Sequence, residues 1–174
     1  MECVVLEKSF ITRRIDELGR IVIPKEIRNN LAIRVGEPLE ILIENKSIVI
    51  RKYSQVENIV DLSSNICDVV SDISQIDLLI ADREKIIVTS KNLSNLKAHE
   101  LPSDLKAMID ERGQLISDTK VNYFGIEAYF VILPIITSTD CSGLVIALSD
   151  KFDERNKIMA KITQKLIITN LEVA

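Results

Sequence analysis

Five cations, Arg13, Arg14, Arg20, Lys25 and Arg28, fall within residues 13–28, and Asn29 follows directly. A guanidinium offers a fixed fork of donors that suits phosphate oxygens and the O6/N7 edge of guanine. An asparagine beside it can hydrogen-bond a phosphate or a base edge. Asp16, Glu17 and Glu26 lie in the same stretch, and they could instead pair these cations off as exposed bridges worth ~0–1 kcal/mol each. Charge alone leaves both readings open. Catalytic chemistry is poorly provided for. His99 is the single histidine and sits in a polar stretch; Cys3, Cys67 and Cys141 are far apart with no CxxC spacing; none of the five glycines forms a phosphate-cradling loop. Neighbouring carboxylates such as Asp110 and Glu111 have the spacing of ordinary helix-surface charges. No enzyme, no metal site and no cofactor is expected, and three unpaired thiols fit a reducing cytosol.

The elements that must hold the cations follow from local signals. Residues 9–15 and 20–23 are β-rich and flank a turn at 16–19. There Gly19 can take a positive φ, and Asp16 can accept bonds from the turn backbone. Strand alternation would send Arg13 and Arg14 to opposite faces. Pro24 suits a first helical position, because its missing N–H would be unsatisfied there anyway. A short helix over 25–31 follows, with Glu26 near its positive end. After a turn at 36–38, residues 39–43 and 47–51 read as a hairpin across 44–46. A module of this size removes only ~60% of its chain surface from water. With no disulfide or metal to staple it, two copies sharing one Ile/Val/Leu core are expected.

The whole chain has 174 residues and a net charge of −4, with 47% hydrophobic and 28% charged residues, a globular balance. The charge is uneven. Residues 1–53 carry ten Lys/Arg against eight Asp/Glu, whereas residues 54–174 carry 12 against 18. Opposite signs suggest two modules with different partners, divided at 53/54, and an acidic majority confines any polyanion contact to one patch. Residues 56–73 read as a helix with Val56, Ile59, Val60, Ser63, Ile66, Val69, Val70 and Ile73 along its apolar stripe. Strands follow at 77–81 and 85–89, then an irregular polar segment at 92–100 and a helix over 102–112. The nearly unbroken apolar run 128–136 implies a strand covered on both faces. A strand at 142–149 and a helix over 153–171, apolar at Ile158, Ile162, Leu166, Ile167 and Leu171, complete an α+β layer. Both long helices carry more apolar residues than one face needs, which suggests helix pairs meeting between chains. No apolar leader and no membrane span is read in the chain.

The motif Arg-Arg-Ile-Asp-Glu-Leu-Gly-Arg-Ile-Val-Ile-Pro-Lys-Glu-Ile-Arg at 13–28, followed by Leu-Ala-Ile-Arg-Val-Gly-Glu-Pro-Leu-Glu-Ile at 31–41, closely resembles the AbrB-like swapped-hairpin DNA-binding family over residues 8–53. The complete layout is similar to sporulation regulators in which this domain precedes a GAF-like α+β domain. The resemblance implies a β-rich intertwined homodimer on double-stranded DNA, with Arg13, Arg14, Arg20 and Arg28 as contacts and Lys25 and Asn29 beside them. Asn29 stands where the family commonly has a second arginine, and Phe10 where relatives commonly have glycine. The resemblance further implies homotetramers through the C-terminal helices and a cytoplasmic, nucleoid-associated activator or repressor of sporulation genes. Four arginines per chain, doubled in a dimer, would neutralise ~6 phosphates and give a log K against log salt slope of about −5. GAF-like folds often hold a small molecule, and the segments 92–112 and 123–130 are where an effector would be sought. The alternatives are an antitoxin-type protein, or an architectural DNA-binding protein whose C-terminal domain serves only oligomerisation. Swapped-hairpin antitoxins usually end in a disordered tail, whereas here the second module has α and β periodicity.

Overall fold

A computed structural model describes residues 11–138, 140–151 and 153–172. The chain divides into two compact units, Met1–Tyr53 and Ser54–Ala174.

The first unit contains one helix, α1 (Lys25–Asn30), and one antiparallel hairpin, β1 (Leu39–Glu44) with β2 (Ser47–Lys52). Asn45 and Lys46 join the two strands with φ of 48° and 65°, the left-handed pair that a two-residue hairpin turn requires. Pairing sets Ile41 opposite Ile50 and Ile43 opposite Ile48. This isoleucine face is uncovered: Ile41, Ile43 and Ile48 are 67%, 84% and 68% exposed. Among the described residues 11–53, none is buried. Each large aliphatic side chain fully taken out of water contributes about 1.5–3 kcal/mol, and this unit by itself collects only part of that, from side chains such as Ile27, Ile33 and Leu42 that are only partly buried.

Of the strands expected at 9–15 and 20–23, the described residues form no ladder in the single chain. Residues 11–15 and 20–23 run without strand partners, and residues 9 and 10, Phe10 included, lie outside the described residues. The physical reason is that a ladder needs a facing strand, and no other described segment of the same chain supplies one. Ile15, Leu18, Ile21 and Val22 are correspondingly exposed.

The second unit is an antiparallel sheet. Its strands are β3 (Asp77–Ala81), β4 (Ile86–Thr89), β5 (Leu115–Ile116), β6 (Val121–Tyr123), β7 (Ile126–Ile136) and β8 (Cys141–Ser149), in the order β4-β3-β8-β7-β5, with β6 also on β7. A 3-10 turn at Val56–Ile59 leads into α2 (Val60–Ser74). With α4 (Glu154–Leu171), α2 covers the sheet face built from Leu78, Ile80, Leu133, Ile135 and Val145. The helix α3 (Ser103–Glu111) and the segment before it cover the opposite face, Leu79, Phe130, Ile132, Leu144 and Ile146. Alternate residues of β3, β7 and β8 thus enter two different cores, which accounts for the unbroken apolar run of β7.

Three readings change. The short strands β5 and β6, too brief for a visible period, line one edge of β7. Residues 92–100 are ordered: a 3-10 turn at Lys91–Leu96 is followed by bonds from Ala98 N–H to the Ile86 carbonyl and from Ile86 N–H to the His99 carbonyl, so the segment closes the outer edge of β4. The stripes of the long helices also split. On α2 Ser63 and Cys67 are buried with Val60, Ile66 and Val70 packed beside them, while Val69 and Ile73 are 57% and 75% exposed; on α4, Asn156, Ala160, Thr163 and Ile167 are buried and Ile158, Ile162 and Leu166 face outward.

Candidate nucleic-acid interface

The turn expected at 16–19 is built around Asp16. Its carbonyl accepts from Gly19 N–H at 3.0 Å and its N–H donates to the Arg20 carbonyl at 3.1 Å, with Gly19 at φ +76°. This is a three-residue hairpin loop that needs a left-handed residue at its last position. The Asp16 side chain completes it. Oδ1 accepts from Leu18 N–H at 3.0 Å and Arg20 N–H at 2.8 Å, and Oδ2 accepts from Arg20 Nε at 2.8 Å. Those bonds, first the backbone one from Arg20 and then its guanidinium, hold the Asp16 carboxyl below the usual aspartate value.

Pro24 precedes α1 at φ −58°. The helix ends with Ala32 at φ 50°, Ala32 N–H donating to the Asn29 carbonyl and Ile33 N–H to the Arg28 carbonyl at 2.7 Å. This pair of bonds satisfies the last carbonyls and turns the chain toward β1. It also means that the backbone oxygens of Arg28 and Asn29 are committed inside the fold, leaving their side chains for other work.

The site residues are distributed as follows. Arg13, Arg14, Arg20, Lys25 and Asn29 are exposed, and Arg28 is half-buried with a buried Nε that has no hydrogen-bond partner. Arg13 makes one long bond, Nη1 to the Thr12 carbonyl at 3.4 Å. Both Arg13 and Arg14 reach solvent, so the alternation expected of a paired strand hides neither. Of the carboxylates that might have neutralised the cluster, Asp16 pairs with Arg20 at 2.8 Å. Among the described residues, no ion pair engages Glu17, Glu26, Arg13, Arg14, Lys25 or Arg28.

In the second unit a cation is instead built into a network. Arg83 bridges three segments: Nη2 donates to Asp110 at 2.6 Å, and Nη1 to Asp140 at 3.1 Å and to the Cys141 carbonyl at 2.8 Å. Residues 83, 110 and 140 are so far apart in the chain that no spacing signal could have joined them. Burial pushes the Cys67 thiol up to about 12 and raises that of Cys141; both are buried. The segments singled out for an effector do meet. Tyr123 donates to Asp104 at 2.9 Å, and its ring stands edge-on to Phe130 at 5.2 Å. Desolvation, with the Asp104 bond, raises the Tyr123 phenol to about 12. No group of metal-ligating side chains occurs among the described residues, and none of their helices is long and apolar enough to cross a membrane.

Comparison with known proteins places both units. Residues 12–58 match the family described as "Antidote-toxin recognition MazE, bacterial antitoxin", and residues 58–172 that described as "Stage V sporulation protein T C-terminal, transcription factor". Stage V sporulation protein T of Bacillus subtilis strain 168 is 33% identical over 177 residues, covering 94% of each chain. The transition state regulatory protein AbrB of the same organism is 30% identical over 82 residues, 47% of this chain and 77% of that one. Among solved structures, the cofactor-binding GAF domain of the nutrient sensor CodY from Clostridium difficile aligns at a TM-score of 0.45 with 12% identity, over 64% of this chain and 83% of that one. Similarity that runs through both units at this level of identity settles the kinship: the chain belongs to the family of stage V sporulation protein T.

Proposed function

We propose that this protein is a sequence-specific, double-stranded-DNA-binding transcription regulator whose first 53 residues hold the duplex. Arg13, Arg14, Arg20 and Arg28 are the contacting side chains, flanked by Lys25 and Asn29. One observation carries the reading: Arg13, Arg14 and Lys25 stand exposed and enter no ion pair among the described residues, even with Glu17 and Glu26 in the same stretch, within an otherwise acidic chain. A cluster present only for stability would be paired off; one facing a polyanion is left open.

The uncovered isoleucine face of the hairpin and the unpartnered residues 11–15 and 20–23 support a homodimer in which a second copy supplies both the missing strands and the missing core. Residues 54–174 serve sensing and oligomerisation. On α2, exposed Leu62, Val69 and Ile73 run beside Asp61, Asp68 and Asp72; on α4, exposed Ile158, Ile162 and Leu166 run beside Lys161 and Lys165. Apolar stripes flanked by opposite charges suit pairing of dimers into a homotetramer. A small effector would act on the α3 side of the sheet, and the assembly would work at the nucleoid on sporulation genes. The description of the family matching residues 12–58 raises toxin binding, but a sheet covered on both faces is unlike a disordered toxin-binding tail.

In a gel-shift assay on an operator obtained by in-vitro selection with the full chain, Arg20→Ala and Arg28→Ala should each weaken binding at least about tenfold, equivalent to ~1.4 kcal/mol. Unchanged affinity in both variants would overturn the proposal.

A further inference from the structure

Asp16 presents a difficulty for any DNA-facing loop. Its carboxylate is exposed, is held ionised by its own hydrogen bonds, and lies where the proposed ligand is a polyanion. The Asp16–Arg20 pair is exposed and solvent-screened, and a neutral amide oxygen could accept the same two turn bonds, so the fold alone gives little reason for the charge. The geometry supplies another. Asp16 Oδ1 is fixed by two backbone N–H groups, from Leu18 and Arg20, and Oδ2 then takes Arg20 Nε at 2.8 Å. Backbone and side chain of Arg20 are therefore tied to the same carboxylate. This restrains the side chain through Nε and leaves the two terminal nitrogens, Nη1 and Nη2, outside the Asp16 bonds; the Arg20 side chain is 71% exposed. Among the described residues, Arg13, Arg14 and Arg28 have no such carboxylate.

A mobile arginine suffices for a phosphate, which accepts from many directions. Guanine does not offer that freedom, because its O6 and N7 lie on one edge and call for two parallel donors in a fixed plane. We infer that Arg20 reads a guanine in the major groove and that Asp16 is its positioning residue, while Arg13 and Arg14 hold phosphates. The inference rests on the DNA-binding reading above and adds to it which side chain confers sequence preference and for which base.

The test compares the full chain with its Asp16→Asn and Arg20→Lys variants on the selected operator, on the same operator with single guanines replaced by 7-deazaguanine, and on random duplex. Asp16→Asn keeps an oxygen for the two backbone N–H groups, and circular dichroism and melting check that the fold persists. Simple electrostatics predicts tighter binding when a negative charge is removed from the interface. The inference predicts the opposite on the operator: Asp16→Asn and Arg20→Lys each bind at least about fivefold more weakly, with random-duplex affinity undiminished. One 7-deazaguanine position should weaken the wild type and leave both variants unaffected. Wild-type binding that is insensitive to 7-deazaguanine at every position, or an Asp16→Asn variant with equal or tighter operator binding, overturns the inference and leaves the DNA-binding reading standing. No operator recovered and no duplex bound by the wild type overturns both.

Discussion

Arg20 and Arg28 are both proposed as DNA contacts, yet they differ in what else they hold. Arg20 is exposed and rests on Asp16, whereas Arg28 is half-buried in α1 with its Nε out of solvent. Long cationic side chains cover apolar surface with their stems. Arg28→Ala should therefore lower the melting temperature of the protein as well as its DNA affinity, while Arg20→Ala should leave melting unchanged. Protonation of Asp16 follows from its depressed carboxyl. A group whose folded value lies below its unfolded one contributes stability above the unfolded value, and that contribution disappears as pH falls through the folded one. The turn should accordingly be insensitive to pH between about 6 and 8. The thiols give a separate check. Cys67 and Cys141 are buried and burial raises both thiols, so neither should react with iodoacetamide in the native protein at pH 8, and both should react after denaturation; mass spectrometry of the peptides decides. At this scale the sequence was largely legible: Gly19 and Asp16 act as their types imply, while Pro24, expected as the first helical residue, instead caps α1 from one position before it. The coupling of the Asp16 carboxylate to its neighbour's backbone and guanidinium at once needed coordinates.

At the scale of elements, the pitch of a helix accounts for the main misreading. Aliphatic residues three and four apart on α2 form two adjacent stripes, and periodicity records both without saying which one meets the sheet. The structure centres small residues there, Ser63 and Cys67 on α2 and Ala160 and Thr163 on α4, flanked by Ile66, Val70 and Ile167, and leaves Val69, Ile73 and Ile162 outside. Long strands were legible because an unbroken apolar run such as that of β7 suits a strand sealed on both faces and little else; β5 and β6 were not, since two or three residues carry no period. Gly143 on β8 illustrates a constraint that sequence alone does not display. A Cβ added there would come within 1.9 Å of the Ala81 carbonyl oxygen, a backbone atom of the neighbouring strand β3. Gly143→Ala should destabilise the protein by about 3 kcal/mol or more, at the upper end for overpacking, measured by urea denaturation. The α2 and α4 stripes make their own prediction. Replacing Ile73 and Ile162 by glutamate should leave the melting of the second unit nearly unchanged, because surface substitutions usually stay within about 0.5 kcal/mol. The same replacement should reduce a tetramer to a dimer in sedimentation velocity.

For the whole molecule, the central feature is an imbalance between two units of one chain. The second has a sheet sealed on both faces, with Phe130, Leu78, Ile80 and Leu144 fully buried; the first has no buried residue among those described. A segment of that kind gains too little from burial to offset the entropy of ordering its backbone. In the proposed homodimer a second copy would close over Ile41, Ile43, Ile48 and Ile50, and in doing so would set two sets of arginines against one duplex. The need for a partner could be reasoned from the length and composition of residues 1–53, but the surface that needs covering became visible only in the hairpin register. The most direct measurement is operator affinity of the full chain carrying Ile41→Glu and Ile43→Glu. Neither position is among the proposed DNA contacts, and in an isolated chain both are surface positions where glutamate would matter little. Loss of operator binding by more than about a hundredfold, equivalent to ~2.7 kcal/mol, is the predicted result. A variant that binds the operator as tightly as the wild type would contradict the account.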